Sequence, residues 1–209
     1  MRSMWICAGA ALTGLVGCGA DAVRDVATFE EMVEESAAMA ERVAEMPIAR
    51  ATDMPTTGSA TFEGLAAIGA YTERESALLG DLSVQVDFAG EEIRGRIDGV
   101  TGSVDGGPVQ DWDGALVLSD GYAGLFSGGG VGPDGPFEIP AYGGFDADLS
   151  GDLTAGTDVI VVDGTLRGEF HVEEGRVAAL SGNSGSDEMN VVLNGTDVGG
   201  VVTVVGERP

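Results

Sequence analysis

The chain has 209 residues, of which 35 are acidic and 10 are basic, all arginine, for a formal net charge of −25. Such a negative surface repels nucleic acid and anionic lipid headgroups. Neither is therefore expected to bind the protein through charge. Glycine is the other outlier, with 35 residues and no three-residue period. This excludes collagen and is typical of antiparallel β-structure, which uses glycine in turns and bends.

The first eighteen residues read as an export signal. Arg2 precedes an apolar stretch, Met4–Val16, which is too short to span a bilayer as a helix but has the length of a signal-peptide core. Leu15-Val16-Gly17-Cys18 resembles a bacterial lipobox, in which the cysteine is acylated and becomes the new N-terminus. The resemblance implies a signal peptide over 1–17 and a lipid on Cys18. The alternative is ordinary signal cleavage near this point, with Cys18 unmodified.

The residue after the cysteine favours an outer location. Asp directly after the lipidated cysteine is the usual inner-membrane retention signal in such lipoproteins, and this chain has Gly19 there. We therefore expect an exported protein, lipid-anchored at the outer membrane or cell surface. Because the lipid would occupy the one cysteine of the mature chain, neither a disulfide within a monomer nor a thiolate zinc site is expected.

A helix is predicted between the anchor and the main domain. Residues 18–27 read as a tether, and Thr28 with Glu31 forms a capping-box pattern that predicts a helix over 28–46, ended by Pro47. Apolar residues follow helical spacing along one face. This stripe would pack on the following domain or lie on a membrane or partner, and the acidic opposite face argues against a membrane. Residues 47–57 are predicted to be a linker.

From Gly58 the apolar period changes to two, which predicts an all-β domain over 58–206. We expect a single antiparallel eight-stranded (eight or nine) up-and-down β-barrel preceded by the N-terminal helix, because closure removes exposed edges. Asp120-Gly121 is read as a hairpin turn, and 128–136 as a glycine- and proline-rich loop. Small inward residues would let the barrel close tightly; these are Gly64, Gly95 and Gly164.

Three segments carry a family resemblance. Residues 58–64 (GSATFEG), 81–97 (with DLSVQVDF, a turn and IRGRI) and 165–170 (TLRGEF) resemble, in order, strands of the transferrin-binding-protein-B-type β-barrel lipoproteins. The resemblance spans roughly 58–206. It implies a single-barrel lipoprotein that binds a protein or small ligand, in some members for iron or haem acquisition.

The chain also departs from that family. It has room for one barrel and no handle domain, and the late strand continues His171-Val172-Glu173 where the family usually has an aromatic-Gly-Pro run. Recognition of transferrin is therefore not implied. A structural envelope lipoprotein without a specific ligand is the alternative.

Aromatic residues beside the glycine-rich loop are the candidate ligand- or partner-binding residues. An equally weighted alternative is that they cap the core. The candidates are Trp112, Tyr122, Phe126, Phe137 and Tyr142.

No catalytic site is predicted. His171 is the one histidine, and its strand phase places it on the outer face, so we interpret it as a surface residue. The acids from Asp146 to Asp152 lack the twelfth-position glutamate of a calcium loop and are read as a solvated strand face. Accordingly we expect no enzyme, no metal and no resident cofactor, while haem and a surface cation are left open as ligands.

Overall fold

The computed structural model of the protein describes residues 20–74, 76–132, 135–185 and 187–209, with the backbone alone for 20–27 and 128–139. One helix, α1, spans Ala20–Glu45. Ten strands follow: β1 Ser59–Ala70, β2 Ala77–Asp87, β3 Glu92–Ser103, β4 Gln110–Gly132, β5 Gly135–Ala155, β6 Asp158–Glu173, β7 Arg176–Asn183, β8 Met189–Leu193, β9 Thr196–Asp197 and β10 Gly200–Glu207.

The strands form a closed antiparallel barrel, as the sequence predicts. The sheet runs in the order β5-β4-β3-β2-β1-β10-β7-β6, and pairing of β5 with β6 closes it into eight strand positions. β8 continues the line of β7, because both pair with β6, at opposite ends of that strand. The short β9 pairs with β8 as a hairpin and is the last strand in the sheet order. The two additional strands therefore extend an eight-stranded barrel without widening it.

Alternation of side chains fills the barrel interior. In β1, Ala60, Phe62 and Ile68 are buried, whereas Ser59, Thr61 and Glu63 are exposed. Four phenylalanines meet near the centre, where the ring of Phe170 lies 6.0, 6.0 and 5.8 Å from three others, between ring centroids. These three are Phe62, Phe88 and Phe145. Packing of large rings excludes water from the interior and stabilises the closed form.

The helix is longer than the sequence predicts. It begins at Ala20, so the expected start at Thr28 is wrong and most of the predicted tether is helical. Ala20–Ala27 contains no glycine or proline, so nothing local interrupts a helix there. At its other end α1 stops at Glu45, one residue before the predicted end and two residues before Pro47.

The apolar face of α1 packs on the outside of the barrel. Met39 and Val43 form a buried cluster with Ala179 of β7 and Val205 of β10. An exposed ion pair joins Arg42 to Glu207, with 2.8 Å between Nη2 and Oε2. The sequence left open whether the apolar face packs on the following domain or on a membrane or partner. Met39 and Val43 pack on the domain.

β4 is one continuous strand, not two strands joined by a turn. Asp120 has a left-handed φ of 49°, but Gly121 does not, whereas a type I′ hairpin turn needs positive φ at both residues. The pairing register instead shifts between Ser119 and Tyr122. The expected turn at Asp120-Gly121 is therefore a β-bulge, which bends the strand without reversing it. Similarly, most of the expected 128–136 loop belongs to strands, since β4 pairs with β5 as far as Gly132 and Gly135.

Residues 47–50, here called the seam segment, insert between β5 and β6 where these strands separate. Ala49 donates its N–H to the carbonyl of Phe170, 2.7 Å away, and accepts from the N–H of Gly143, 2.8 Å away. The N–H of Val172 donates to the carbonyl of Pro47. Ala49 is fully buried. The predicted linker is thus partly a short strand-like segment that covers the opening in the barrel wall.

Candidate functional site

The β4–β5 hairpin extends past the barrel. The last bond between β4 and the β3 side runs from the N–H of Ala123 to the carbonyl of Glu91. Beyond it, β4 pairs with β5 alone among the described residues. We call this extension, Ala123–Gly132 of β4 with Gly135–Tyr142 of β5, the ribbon. Peptide groups on the β3 side of its β4 strand therefore have no strand partner within the described chain.

Three of the sequence-predicted aromatic residues form one cluster at the base of the ribbon. The rings of Tyr122 and Phe126 lie 5.5 Å apart between centroids, and those of Phe126 and Tyr142 lie 6.2 Å apart. Tyr122 is 40% exposed and Leu125, on the opposite face, is 47% exposed. The rings lie over glycine positions. A Cβ at Gly124, on the same strand, would meet Tyr122, and one at Gly144, on the neighbouring strand, would meet Phe126. The missing side chains thus make room for the three rings.

Trp112 lies apart from this cluster. It is ten residues before Tyr122 on the same strand, roughly 30 Å at ~3.3 Å per residue. Its ring is 3% exposed and its Nε1–H donates to the carbonyl of Gly102. The burial favours the core-capping alternative for Trp112, because no partner can contact a side chain so enclosed.

Two further predicted site residues are described in part or not at all. Phe137 lies in β5, where its backbone pairs with Gly130, but its side chain is outside the described part of the structure. Cys18 and the signal peptide lie outside the described residues altogether. Lipidation and export therefore remain predictions.

A shallow depression of about 1090 Å³ runs along the outer face of β2, β3 and β4 toward the ribbon. Its two arginines are held by neighbouring side chains, since Arg94 donates to Gln85 and Arg96 pairs with Asp98 at 2.7 Å. Val117, 43% exposed, adds an apolar spot on the same wall. This wall joins the aromatic cluster at Gly121, so the two form one continuous surface of mixed character.

His171 is on the outer face of β6, as its strand phase predicts, but it is not a surface residue. It is 5% exposed because the C-terminal end of α1 covers it. Its Nδ1 lies 3.3 Å from the carbonyl of Met46, and its Nε2 lies 2.8 Å from Oγ of Ser181. The surface interpretation is therefore wrong. Strand phase gives the face of a residue but cannot show what packs on that face, and no pattern around Ser181 marks it in advance.

The acidic strand face of β5 is held by an arginine. Arg167 donates to Asp146 at 2.7 Å and also to Glu188. These carboxylates raise the pKa of Arg167, by hydrogen bonding first and by charge second. Across the described residues, no group of three or more His, Cys, Asp and Glu side chains is placed to hold a metal ion.

Comparison with protein families, curated proteins and solved structures finds no match to this chain. Within the described residues, α1 is not apolar enough to qualify as a membrane-crossing helix.

Proposed function

We propose that the protein is a membrane-anchored lipoprotein whose β-barrel presents a partner-binding surface at the base of the ribbon. The observation that carries the proposal is the exposed aromatic cluster of Tyr122, Phe126 and Tyr142 beside a strand edge that lacks a partner among the described residues. Aromatic side chains supply large contact areas at small entropic cost, which suits recognition.

The charge distribution supports the same place. Residues 121–132 contain no charged residue, in a chain of net charge −25. Elsewhere the acidic surface opposes close contact with most cellular proteins, which are themselves acidic or neutral. A twelve-residue uncharged strand is therefore where an apolar partner segment meets the least electrostatic resistance.

The free edge favours a protein partner over a small ligand. Proteins commonly protect exposed edge strands with charged side chains or proline, and 121–132 has neither. An extended segment of a partner can add to such an edge through main-chain hydrogen bonds, with side chains giving specificity. Resemblance to transferrin-binding-protein-B-type lipoproteins gives this partner a role in iron or haem acquisition as one option within the proposal.

Site-specific photo-crosslinking tests the surface. A photoreactive phenylalanine at Tyr122 is expected to give a discrete crosslinked product in intact cells. The matched control is the same photoreactive residue at Asp113, which is exposed on the part of β4 that belongs to the barrel wall. It is expected to give no crosslinked product. Deletion of 128–135 or Leu125→Asp is expected to abolish the product while far-ultraviolet circular dichroism stays unchanged. Equal products at both positions, or products that survive both changes, would leave the structural-lipoprotein alternative as the better account.

The anchor is tested separately. Cys18→Ala is expected to release the protein from membranes on carbonate washing, because the acidic surface gives no electrostatic hold on anionic lipid. Retention of the variant in the washed membrane would contradict the lipoprotein assignment. That result would not bear on the proposed partner-binding surface of the ribbon, which the crosslinking experiment tests.

A further inference from the structure

A cleft of about 350 Å³ lies between α1 and the outer wall of the barrel, on a different face from the ribbon. Small residues on the helix open it, because Ser36, Ala40 and Ala44 stand one turn apart over the wall. Its floor crosses four strands, β1, β10, β7 and β6. Cavities of about 300 Å³ and more with apolar walls and a few convergent polar groups are typical small-ligand sites.

The walls are mostly apolar. Ser36 of α1 and Thr203 of β10 add neutral hydroxyl groups, and the remaining polar side chains are gathered at one end. Apolar lining residues include Val43, Met46, Leu65 and Val205. The polar side chains at the β6–β7 end are Glu169, His171 and Ser181, and Glu169 and Ser181 are register partners. A ligand that fills the cleft therefore needs an apolar body and one polar head.

Hydrogen bonding at His171 determines whether Ser181 offers the cleft a donor or an acceptor. The carbonyl of Met46 can only accept, so Nδ1 of the ring carries a hydrogen and donates to it. In the neutral ring Nε2 then has no hydrogen, so Ser181 donates its hydroxyl hydrogen to Nε2. The Ser181 oxygen keeps its lone pairs and can accept from a ligand. His171 thus fixes Ser181 as an acceptor toward the cleft.

Glu169 adds a negative charge to this acceptor. Its side chain is half-buried at the cleft and makes no hydrogen bond or ion pair with another described residue. A partly desolvated carboxylate without a partner is costly, and an opposite charge offsets the cost. Among the residues that the structure describes, no arginine lines the cleft. The head group that satisfies both oxygens is a cation with several donors, such as an ammonium group.

We propose that this cleft binds a small organic cation, an ammonium head on a short apolar chain, with the head between Glu169 and Ser181 and the chain against α1. This inference does not depend on the proposed partner surface, since it concerns another wall of the barrel. The net charge of −25 would raise the local concentration of any cation and assist its entry.

The single histidine of the chain provides the measurement. The imidazole signals of His171 are followed by nuclear magnetic resonance in the full chain carrying Cys18→Ser, during titration with n-butylammonium, n-butanol or butyrate at constant ionic strength. Saturable shifts are expected with butylammonium alone. Equal responses to the alcohol or to butyrate would overturn the proposal, because the head group would then not matter.

Two matched pairs of variants locate the site. Glu169→Gln is expected to weaken butylammonium binding by about tenfold or more, whereas Asp163→Asn, which removes the same charge from the exposed face of β6, leaves it unchanged. Ala40→Leu fills the cleft and should abolish binding, whereas Ala38→Leu on the exposed face of α1 should not. Equal effects within either pair would show non-specific attraction and overturn the proposal.

Discussion

The same two strands, β4 and β5, have different roles in their two halves. Between Asp113 and Ser119, β4 pairs on both sides, with β3 and β5, and its inward side chains are buried. Beyond Ala123 the strand pairs on one side, and apolar and aromatic side chains reach the surface. The bulge at Asp120 marks the boundary.

The difference shows how one hairpin can serve stability and recognition together. A two-stranded ribbon alone is marginally stable in water, but here it grows from strands fixed in a closed barrel. The barrel half carries the folding free energy, so the ribbon half can present features that a barrel wall could not tolerate: an unpaired edge, few charges and exposed rings. Variants placed in matched pairs, one in the barrel and one in the ribbon, test this division.

Replacement of one phenylalanine in the barrel and one in the ribbon is expected to give the largest difference in the free energy of unfolding. Phe170 is fully buried among three other rings, so Phe170→Ala should lower the free energy of unfolding by about 3–5 kcal/mol. Phe126 is partly exposed on the ribbon, so Phe126→Ala should cost about 1 kcal/mol or less. Denaturant unfolding measures both. Similar losses for the two variants would mean that the ribbon is part of the cooperative core.

Replacement of one glycine in the barrel and one in the ribbon is expected to give a smaller difference in stability. A Cβ at Gly168, in the barrel wall, would meet the backbone carbonyl of Ser181 and the ring of Phe145. Gly168→Ala should therefore cost about 1–3 kcal/mol through displaced backbone. A Cβ at Gly124 would meet the side chain of Tyr122, which can rotate away. Thermal melts should show little change for Gly124→Ala, and a large loss would mean that the aromatic cluster is rigidly packed.

The smallest expected effect concerns a charge on the closed wall. Partial burial raises the pKa of the Asp81 carboxyl, and the charges of Asp98 and Glu35 raise it further. A carboxyl whose pKa is higher in the folded state stabilises the protein most below its unfolded pKa, and that contribution is lost as pH rises through the folded pKa. Asp81→Asn should therefore raise the unfolding midpoint slightly at neutral pH.

The gain from Asp81→Asn should vanish on acidification to about pH 3, where the carboxyl is protonated in both states. Asp163→Asn on the open surface of β6 removes the same charge and provides the reference. A gain that persists at low pH would show that the effect comes from packing and not from the charge of Asp81.

Most of the barrel follows from local rules in the sequence. Alternation in residues such as Ala60, Phe62 and Ile68 correctly predicts the inward face of β1, and the expectation of a closed sheet follows from the need to remove exposed edges. The misread places are those where a local signal competes with long-range pairing. Asp120-Gly121 has the composition of a turn, yet pairing with β3 and β5 on both sides keeps β4 extended through it.

The cleft could not be predicted for a different reason. His171 and Ser181 both lie on outward positions, where an isolated sheet would expose them. Their burial depends on where α1 lies, and the helix position follows from the three-dimensional packing of Val43 against Ala179 and Val205. The aromatic cluster was easier, because Tyr122, Phe126 and Tyr142 flank one glycine-rich segment, and a chain reversal there brings its two sides together.

The seam segment has a consequence for the order in which the protein can be built. Ala49 is hydrogen-bonded to residues of β5 and β6 that are synthesised roughly a hundred residues later, and β1 pairs with β10, the last of the described strands. Neither contact can form until the later strand that supplies its second partner has been synthesised, and contacts so distant in sequence slow folding. A chain truncated before Gly200 would lack β10, which pairs with β1 on one side and with β7 on the other. Synthesis of β10 would then be the event that allows the barrel to close.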